Sequence, residues 1–549
     1  MQSYEESTAF LGSWGLFQRS VFFMLCASIL PNGFGVFSLV FLTDIPPHHC
    51  RVPEDNLTQE WHKAAIPTEV VNGEEELSKC TRYRLDVVRN LSAQGYIPGR
   101  DINLTDLERE GCVDGWSYSK AIYQSTIVTE FDLVCSEQWK HPFTSTVYFL
   151  GVLIGSFLSG LLSDKFGRKP VLFGTMAIQA VFTFAAVFSQ SWKVFAILLF
   201  LTGLGQISNY VSVLVLGVEL MSGRVQVLFS SLGLCLGYAF GYMLLPLFAY
   251  FLRDWKHLLL VLSMSGLVFL PLWRFIPESP RWLLSQGRVE EAEAILRNAA
   301  KKNKVEAPEV IFGDKTAGGA QPKESFHIFK MLRTKNIVCT TATLCLLWFS
   351  LSTGYNSLSL NTPSLHSNPY VSCFISAAVE VPAYICSWLA LRSFPRRQIA
   401  MSILLLVGAS LFIIQAVPES LSNLSMALEM LGKFGVTTGA GLMFAYTAEL
   451  YPTVLRNTAA GICMCVSRVG SCIAPFLLHL SVYSKFLPHI ILGSLAFVSA
   501  SAALFLPETF GRPLPQTIHQ MHQRERIKCP SCIRRNSGTV PVTLLDNPS

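Results

Sequence analysis

The sequence predicts an all-α membrane protein: twelve transmembrane helices in two six-helix halves, with a large extracellular loop between helices one and two. Three observations carry this expectation. Of 549 residues, 51% are hydrophobic and only 15% charged, with a mean hydropathy of +0.40, too apolar for a soluble chain of this length. Apolar runs long enough to cross a hydrocarbon core of ~30 Å recur about twelve times. The loop-end signatures also repeat. Pro277-Glu278-Ser279 and Pro507-Glu508-Thr509 stand 230 positions apart, as do Glu219-Leu220 and Glu449-Leu450, and Gly167-Arg168-Lys169 is answered by Pro395-Arg396-Arg397 at an offset of 228. Two halves related by an axis along the membrane normal form a transporter architecture with its binding site between them, near the midplane.

Taken in order, residues 1–19 read as a cytoplasmic N-terminus, acidic and without a cleavable signal peptide, and 20–43 as a first span retained as a signal anchor. Residues 44–142 form the loop. Cys50, Cys80, Cys112 and Cys135 cluster there, pointing to one or two disulfides in an oxidising compartment, and Asn56, Asn90 and Asn103 head three glycosylation sequons. Spans two to six occupy 143–276, at 143–163, 170–190, 194–217, 227–252 and 257–276. A central cytoplasmic loop follows at 277–336, with a surface helix at 289–302 and a linker at 313–323. Spans seven to twelve fill 337–506, at 337–360, 370–391, 399–416, 424–447, 456–480 and 488–506, leaving a cytoplasmic tail at 507–549.

Loops placed inside carry Lys165, Arg168, Lys169, Arg224, Arg392, Arg396, Arg397 and Arg456, whereas those outside carry few basic residues, so the positive-inside bias supports this orientation. The net charge of +6 is spent on that bias, and no nucleic-acid partner is implied.

The run Gly160-Leu161-Leu162-Ser163-Asp164-Lys165-Phe166-Gly167-Arg168-Lys169 matches the GxxxDxxGRK motif of the major facilitator superfamily, and Pro277-Glu278-Ser279-Pro280-Arg281-Trp282-Leu283 is its companion after span six. The large sequon-bearing loop resembles the organic cation/anion/zwitterion transporter family. ILPNGF around Asn32, GQISNY at 205–210, GKFGVT at 432–437, TAELYPT at 447–453 and SRVGS at 467–471 are similar to its organic cation/carnitine subgroup. The resemblance implies the major facilitator fold, alternating access, and gating by Asp164, Gly167, Arg168, Lys169, Glu219, Arg224, Glu278, Arg281 and Arg456, with Asp164–Arg168 and Glu219–Arg224 as ion pairs. It also implies sodium coupling, for which Asn32, Asn209 and Glu449 are oxygen-bearing candidates. Residues 217–224 lack the spacing and the lysine of a nucleotide loop, so no ATP site is expected. The terminus Asp546-Asn547-Pro548-Ser549 is not one that PDZ domains accept.

Arg468 lies near the middle of span eleven. A guanidinium keeps its proton, so at membrane depth it needs a partner, a wet cavity or an anionic ligand. We expect it to bind the substrate carboxylate, the competing reading being a salt bridge to Glu380 or to another helix. Span four sets Thr202, Gln206, Asn209 and Tyr210 on one face, as cavity lining or as interhelical hydrogen bonds. Tyr238, Tyr242, Trp348, Tyr355, Phe444 and Tyr446 are aromatic candidates for the cationic end, because ring faces attract desolvated cations. Glu429 and Lys433, four apart, are expected to pair with each other. Glu380, without an evident local partner, is read as a gate or cation contact or, equally, as a carboxylate sitting wet at the cytoplasmic half.

No nucleophile, base and orienting group recur at a recognisable spacing, so no enzyme, cofactor or resident metal is expected; Cys529-Pro530-Ser531-Cys532 lies in a basic tail and reads as palmitoylated or solvated. The expected partners are the lipid bilayer and a small zwitterionic or cationic solute. The expected function is sodium-dependent uptake of carnitine at the plasma membrane. Ergothioneine or polyspecific organic cation transport is the near alternative, and a non-transporting receptor or scaffold the distant one, disfavoured by paired gate motifs.

Overall fold

The computed structural model describes residues 4–53, 57–71, 74–312, 335–365, 368–451 and 453–511. Asn56, the linker at 313–323 and the tail cysteines lie outside the described residues. Each expected span coincides with a helix: α1 Leu16–Leu42, α2 Lys140–Phe166, α3 Arg168–Ala186, α4 Trp192–Leu220, α5 Gly223–Phe251, α6 Trp255–Arg274, α7 Lys335–Leu360, α8 Pro369–Ser393, α9 Arg396–Ile413, α10 Ser422–Leu450, α11 Thr453–His479 and α12 Leu487–Ala503. Ten of these runs are long and apolar enough to cross a membrane on composition alone. The other two fall short for visible reasons: α10 carries Glu429, Lys433 and Glu449, and α12 has 17 residues.

Within the first half α4 lies between α2 and α3, and within the second α7 packs on α11 and α9 on α10 and α12. Small residues allow this approach. A Cβ on Gly241 of α5 would collide with the Leu30 carbonyl oxygen of α1, and one on Gly33 with the Tyr238 carbonyl oxygen, the close backbone contact typical of membrane helix pairs.

The halves meet along α2 with α11 and α5 with α8. Thr146 Oγ1 donates to the Cys472 carbonyl at 3.0 Å, and Tyr370 Oη donates to the Ile122 carbonyl at 3.0 Å. The Tyr370 ring, at the start of α8, sits among Phe41, Tyr123 and Tyr250 of the first half. These contacts close the seam on the side of the Cys-bearing loop.

That loop is not purely helical. Three short antiparallel pairs form in it, His48–Cys50 with Trp116–Tyr118, Thr68–Val71 with Glu74–Leu77, and Thr81–Tyr83 with Arg109–Gly111. Cys50 is bonded to Cys112 and Cys80 to Cys135. All four expected cysteines are therefore used in two bridges. Arg82, 2% exposed, anchors the small core by bonding Glu110 at 2.9 Å and Asp114 at 2.6 Å. Asn90 and Asn103 are both exposed.

Candidate substrate site and gate

At the end opposite the Cys-bearing loop, each half carries the same charge cluster. In the first, Arg168 Nη2 meets Glu219 at 3.0 Å and its Nη1 meets Asp164 at 2.8 Å. The Glu278 carboxylate accepts the free backbone N–H groups of Arg168 and Lys169 at 3.1 and 3.2 Å, satisfying donors that a helix start leaves open and complementing its dipole. Burial pushes the Glu278 carboxyl above its ordinary range, against these donors and the nearby Arg168.

Gly167, at φ +102°, allows the approach, because a Cβ there would stand 2.6 Å from Glu278 Oε2 and L-residues avoid this backbone region. Trp282 Nε1 donates to the Asp164 carbonyl at 3.0 Å. In the second half Arg396 meets Glu449 at 3.1 Å, and Glu508 accepts from the backbone N–H of Arg396 and Arg397 at 2.8 and 3.1 Å.

Two expectations change here. Glu219 pairs with Arg168 rather than with Arg224, which is exposed. Glu449 is not beside Asn32 and Asn209, because Arg396 and the Thr509 hydroxyl at 2.6 Å hold it in the charge cluster of the second half. Lys169 reaches over the Trp273 ring, Arg281 over Tyr4, and Arg456 donates to the Tyr451 carbonyl.

The Asp164 carboxylate is 64% exposed and Glu219 only 17%, and solvent screens the former pair much more strongly. We expect Glu219→Gln to change transport rate and conformation-dependent labelling several-fold, and Asp164→Asn roughly twofold at most. Equal effects of the two would contradict this ranking.

The polar stripe of α4 divides. Asn32 Nδ2 donates to Asn209 Oδ1 at 2.9 Å, Gln206 Nε2 to the Asn32 carbonyl at 2.8 Å, and Asn209 Nδ2 to the Leu172 carbonyl at 3.1 Å, while the Tyr148 hydroxyl bonds Gln206 Oε1. Asn32, Gln206 and Asn209 are all buried. These side chains tie α1, α2, α3 and α4 together, so Gln206 and Asn209 serve interhelical hydrogen bonding, and Asn209 in addition borders a small internal cavity. Thr202 donates to the Leu198 carbonyl of its own helix.

Tyr210 turns the other way. It is half-buried, meets Tyr238 edge to face at 6.5 Å, and with Tyr238 and Tyr148 lies within electrostatic reach of Arg468. The Arg468 guanidinium, from the second half, is thus within electrostatic reach of three phenols of the first. It forms no ion pair with any described residue, and its Nε is buried without a hydrogen-bond partner among them.

The competing salt bridge from Arg468 to Glu380 is not formed: the Glu380 carboxylate meets Lys433 instead, at 3.0 Å. Glu429, expected to pair with Lys433, instead meets His489 at 3.2 Å and accepts from Asn361 at 2.6 Å. Lys433 also bonds Ser359 and lies over the rings of Tyr355, Phe37 and Tyr242.

Three aromatic candidates do not join either group. Trp348 Nε1 donates to Thr447 at 3.0 Å within the second half's core, the Tyr446 hydroxyl donates to the Pro507 carbonyl at 2.8 Å, and Phe444, 53% exposed, packs edge-on against Trp348. Tyr148 and Phe37 were not singled out from sequence. The available signal was only that a buried phenol requires a partner for its hydroxyl, and nothing distinguishes Phe37 from its apolar neighbours.

Known proteins agree with this architecture. Residues 114–521 match the family model described as sugar (and other) transporter. Organic cation/carnitine transporter 2 of Rattus norvegicus is 51% identical over 531 residues, covering 96% of this chain and 95% of the relative. Solute carrier family 22 member 4 of Mus musculus is 49% identical, covering 96% of each. The inward open conformation of the xylose transporter XylE from E. coli superimposes with a TM-score of 0.61 at 14% identity, over 90% of this chain and 98% of that one. The chain therefore belongs to the sugar (and other) transporter family of the major facilitator superfamily, within its organic cation/carnitine transporter group, and is a multi-pass membrane transporter rather than an enzyme.

Proposed function

We propose that this chain carries carnitine or a closely related betaine across the plasma membrane by alternating access, coupled to sodium, with both termini cytoplasmic and the disulfide-bonded loop outside. The observation that carries the reading is Arg468, a permanent cation without a carboxylate partner among the described residues, within electrostatic reach of Tyr148, Tyr210 and Tyr238 of the other half. A substrate carboxylate would receive charge-assisted hydrogen bonds from the guanidinium. Its trimethylammonium group, which cannot donate hydrogen bonds, would rest against ring faces of Tyr210 and Tyr238. The names of the 51%-identical relatives support the same solute class.

Support for sodium is more local. Asn32 Oδ1 is buried without a hydrogen-bond donor among the described residues, and Asn32 lines a cavity of about 30 Å³ together with Gln179, Thr202 and Asn209; hard cations take oxygen ligands. The arrangement suits a solute cycle in which the seam, closed on the loop side, reopens there as the opposite end closes.

The test is uptake of carnitine, ergothioneine and tetraethylammonium into proteoliposomes, each with and without external sodium. Carnitine uptake is expected to exceed tetraethylammonium uptake and to fall roughly tenfold without sodium, a coupling of about 1.4 kcal/mol. Preference for ergothioneine would reassign the substrate, and indifference to sodium would remove the coupling.

A further inference from the structure

Lys433 on α10 and Glu380 on α8, both fully buried, form an ion pair between two membrane-spanning helices. The Lys433 ammonium stands 3.7 Å from the centroid of the Tyr355 ring, 5.5 Å from that of Phe37 and 5.6 Å from that of Tyr242. Those rings come from α7, α1 and α5, so both halves build the box. Its floor is the Glu380 carboxylate, whose Oε1 takes Lys433 at 3.0 Å and the Tyr355 hydroxyl at 2.7 Å. Glu380 Oε2 is buried with no hydrogen-bond partner among the described residues. Three rings and a carboxylate make a good seat for an organic cation, and the chain's own ammonium is sitting in it.

We infer that Lys433 is a specificity-determining residue: its tethered ammonium fills an aromatic box that, once vacated, binds an organic monocation. This rests on the reading of the chain as a carrier of zwitterions. With Lys433 in place, Arg468 and Lys433 outnumber Glu380, so a solute bearing only positive charge meets net repulsion near the seam. A zwitterion brings a carboxylate to Arg468 and offsets it. Discrimination of this kind comes from building repulsion against the unwanted class rather than from extra attraction to the wanted one.

Lys433→Met keeps an unbranched side chain of similar length and removes the charge. Inhibition constants for tetraethylammonium and carnitine, measured in proteoliposomes, give the ratio that decides. In Lys433→Met the affinity for tetraethylammonium relative to carnitine is expected to rise roughly tenfold, the scale of a desolvated cation over rings. An unchanged ratio in folded Lys433→Met protein overturns the inference, because Lys433 would then be a structural partner of Glu380 alone.

Should the unpaired Glu380 prevent that variant from folding, Glu380→Gln combined with Lys433→Met removes both charges and keeps the box. It should then gain roughly threefold in the same ratio, and no gain there is equally fatal. Failure of the underlying reading is separable, since wild-type protein would then show no carnitine uptake before any substitution is made.

Discussion

Arg468→Ala should lower carnitine uptake on the order of 100-fold while lowering uptake of a simple monocation by less than about tenfold, since truncating one partner of a buried charged contact costs roughly 2–5 kcal/mol. The reasoning rests on the guanidinium's isolation. A structural arginine at membrane depth is normally compensated by a carboxylate, and Glu380, the candidate named from sequence, is paired with Lys433. Removing Arg468 therefore leaves no buried carboxylate unpaired, and the loss should fall on the substrate's anion rather than on the fold. Arg468→Lys should recover part of the lost uptake, because a point charge replaces a planar fork matched to a carboxylate. Parallel uptake assays with carnitine and tetraethylammonium on protein of equal surface abundance check this. Equal losses for both solutes would return Arg468 to a purely structural role.

The second large effect concerns stability. Glu380→Ala leaves the Lys433 ammonium buried without its counter-charge, and breaking a buried pair on one side costs about 3–5 kcal/mol. The rings of Tyr355, Phe37 and Tyr242 recover only part of that, since each cation–ring contact contributes ~2 kcal/mol or less. Thermal denaturation of detergent-purified protein, followed by loss of the monodisperse species, should show a marked drop for Glu380→Ala. The apolar pair Glu380→Leu with Lys433→Met should lie near wild type, because replacing both charges by side chains of similar volume is often neutral. If the double substitution were as unstable as the single one, packing rather than charge would be the dominant role of these positions.

How much of the site was legible in the sequence follows from how far apart the interacting residues are. The two charge clusters were readable because they repeat: Arg168 and Arg396 each open a helix, Glu219 and Glu449 each close one, and Glu278 and Glu508 each cap the start of α3 or α9. The same pattern misled at Glu219, where Arg224 is near in sequence but Arg168, 51 residues away, is the partner. Arg468 stood out because a lone cation in an apolar run is expensive. Its neighbours Tyr148, Tyr210 and Tyr238 come from α2, α4 and α5, and no spacing within α11 could name them.

The sequence alone determined the twelve helices, their division into two halves and the clustering of four cysteines in one loop, because each of these is written within one segment or repeated at a fixed offset. Tertiary structure alone decided which cysteines bond and which charges meet. Lys433 passes over Glu429, one helical turn away, for Glu380 on α8, and Asn209 ties helices together while Tyr210, the next residue, comes within electrostatic reach of Arg468. The physical reason is rotation. One residue along a helix turns the side chain by about 100°, and how each helix is turned about its own axis is fixed by packing against its neighbours.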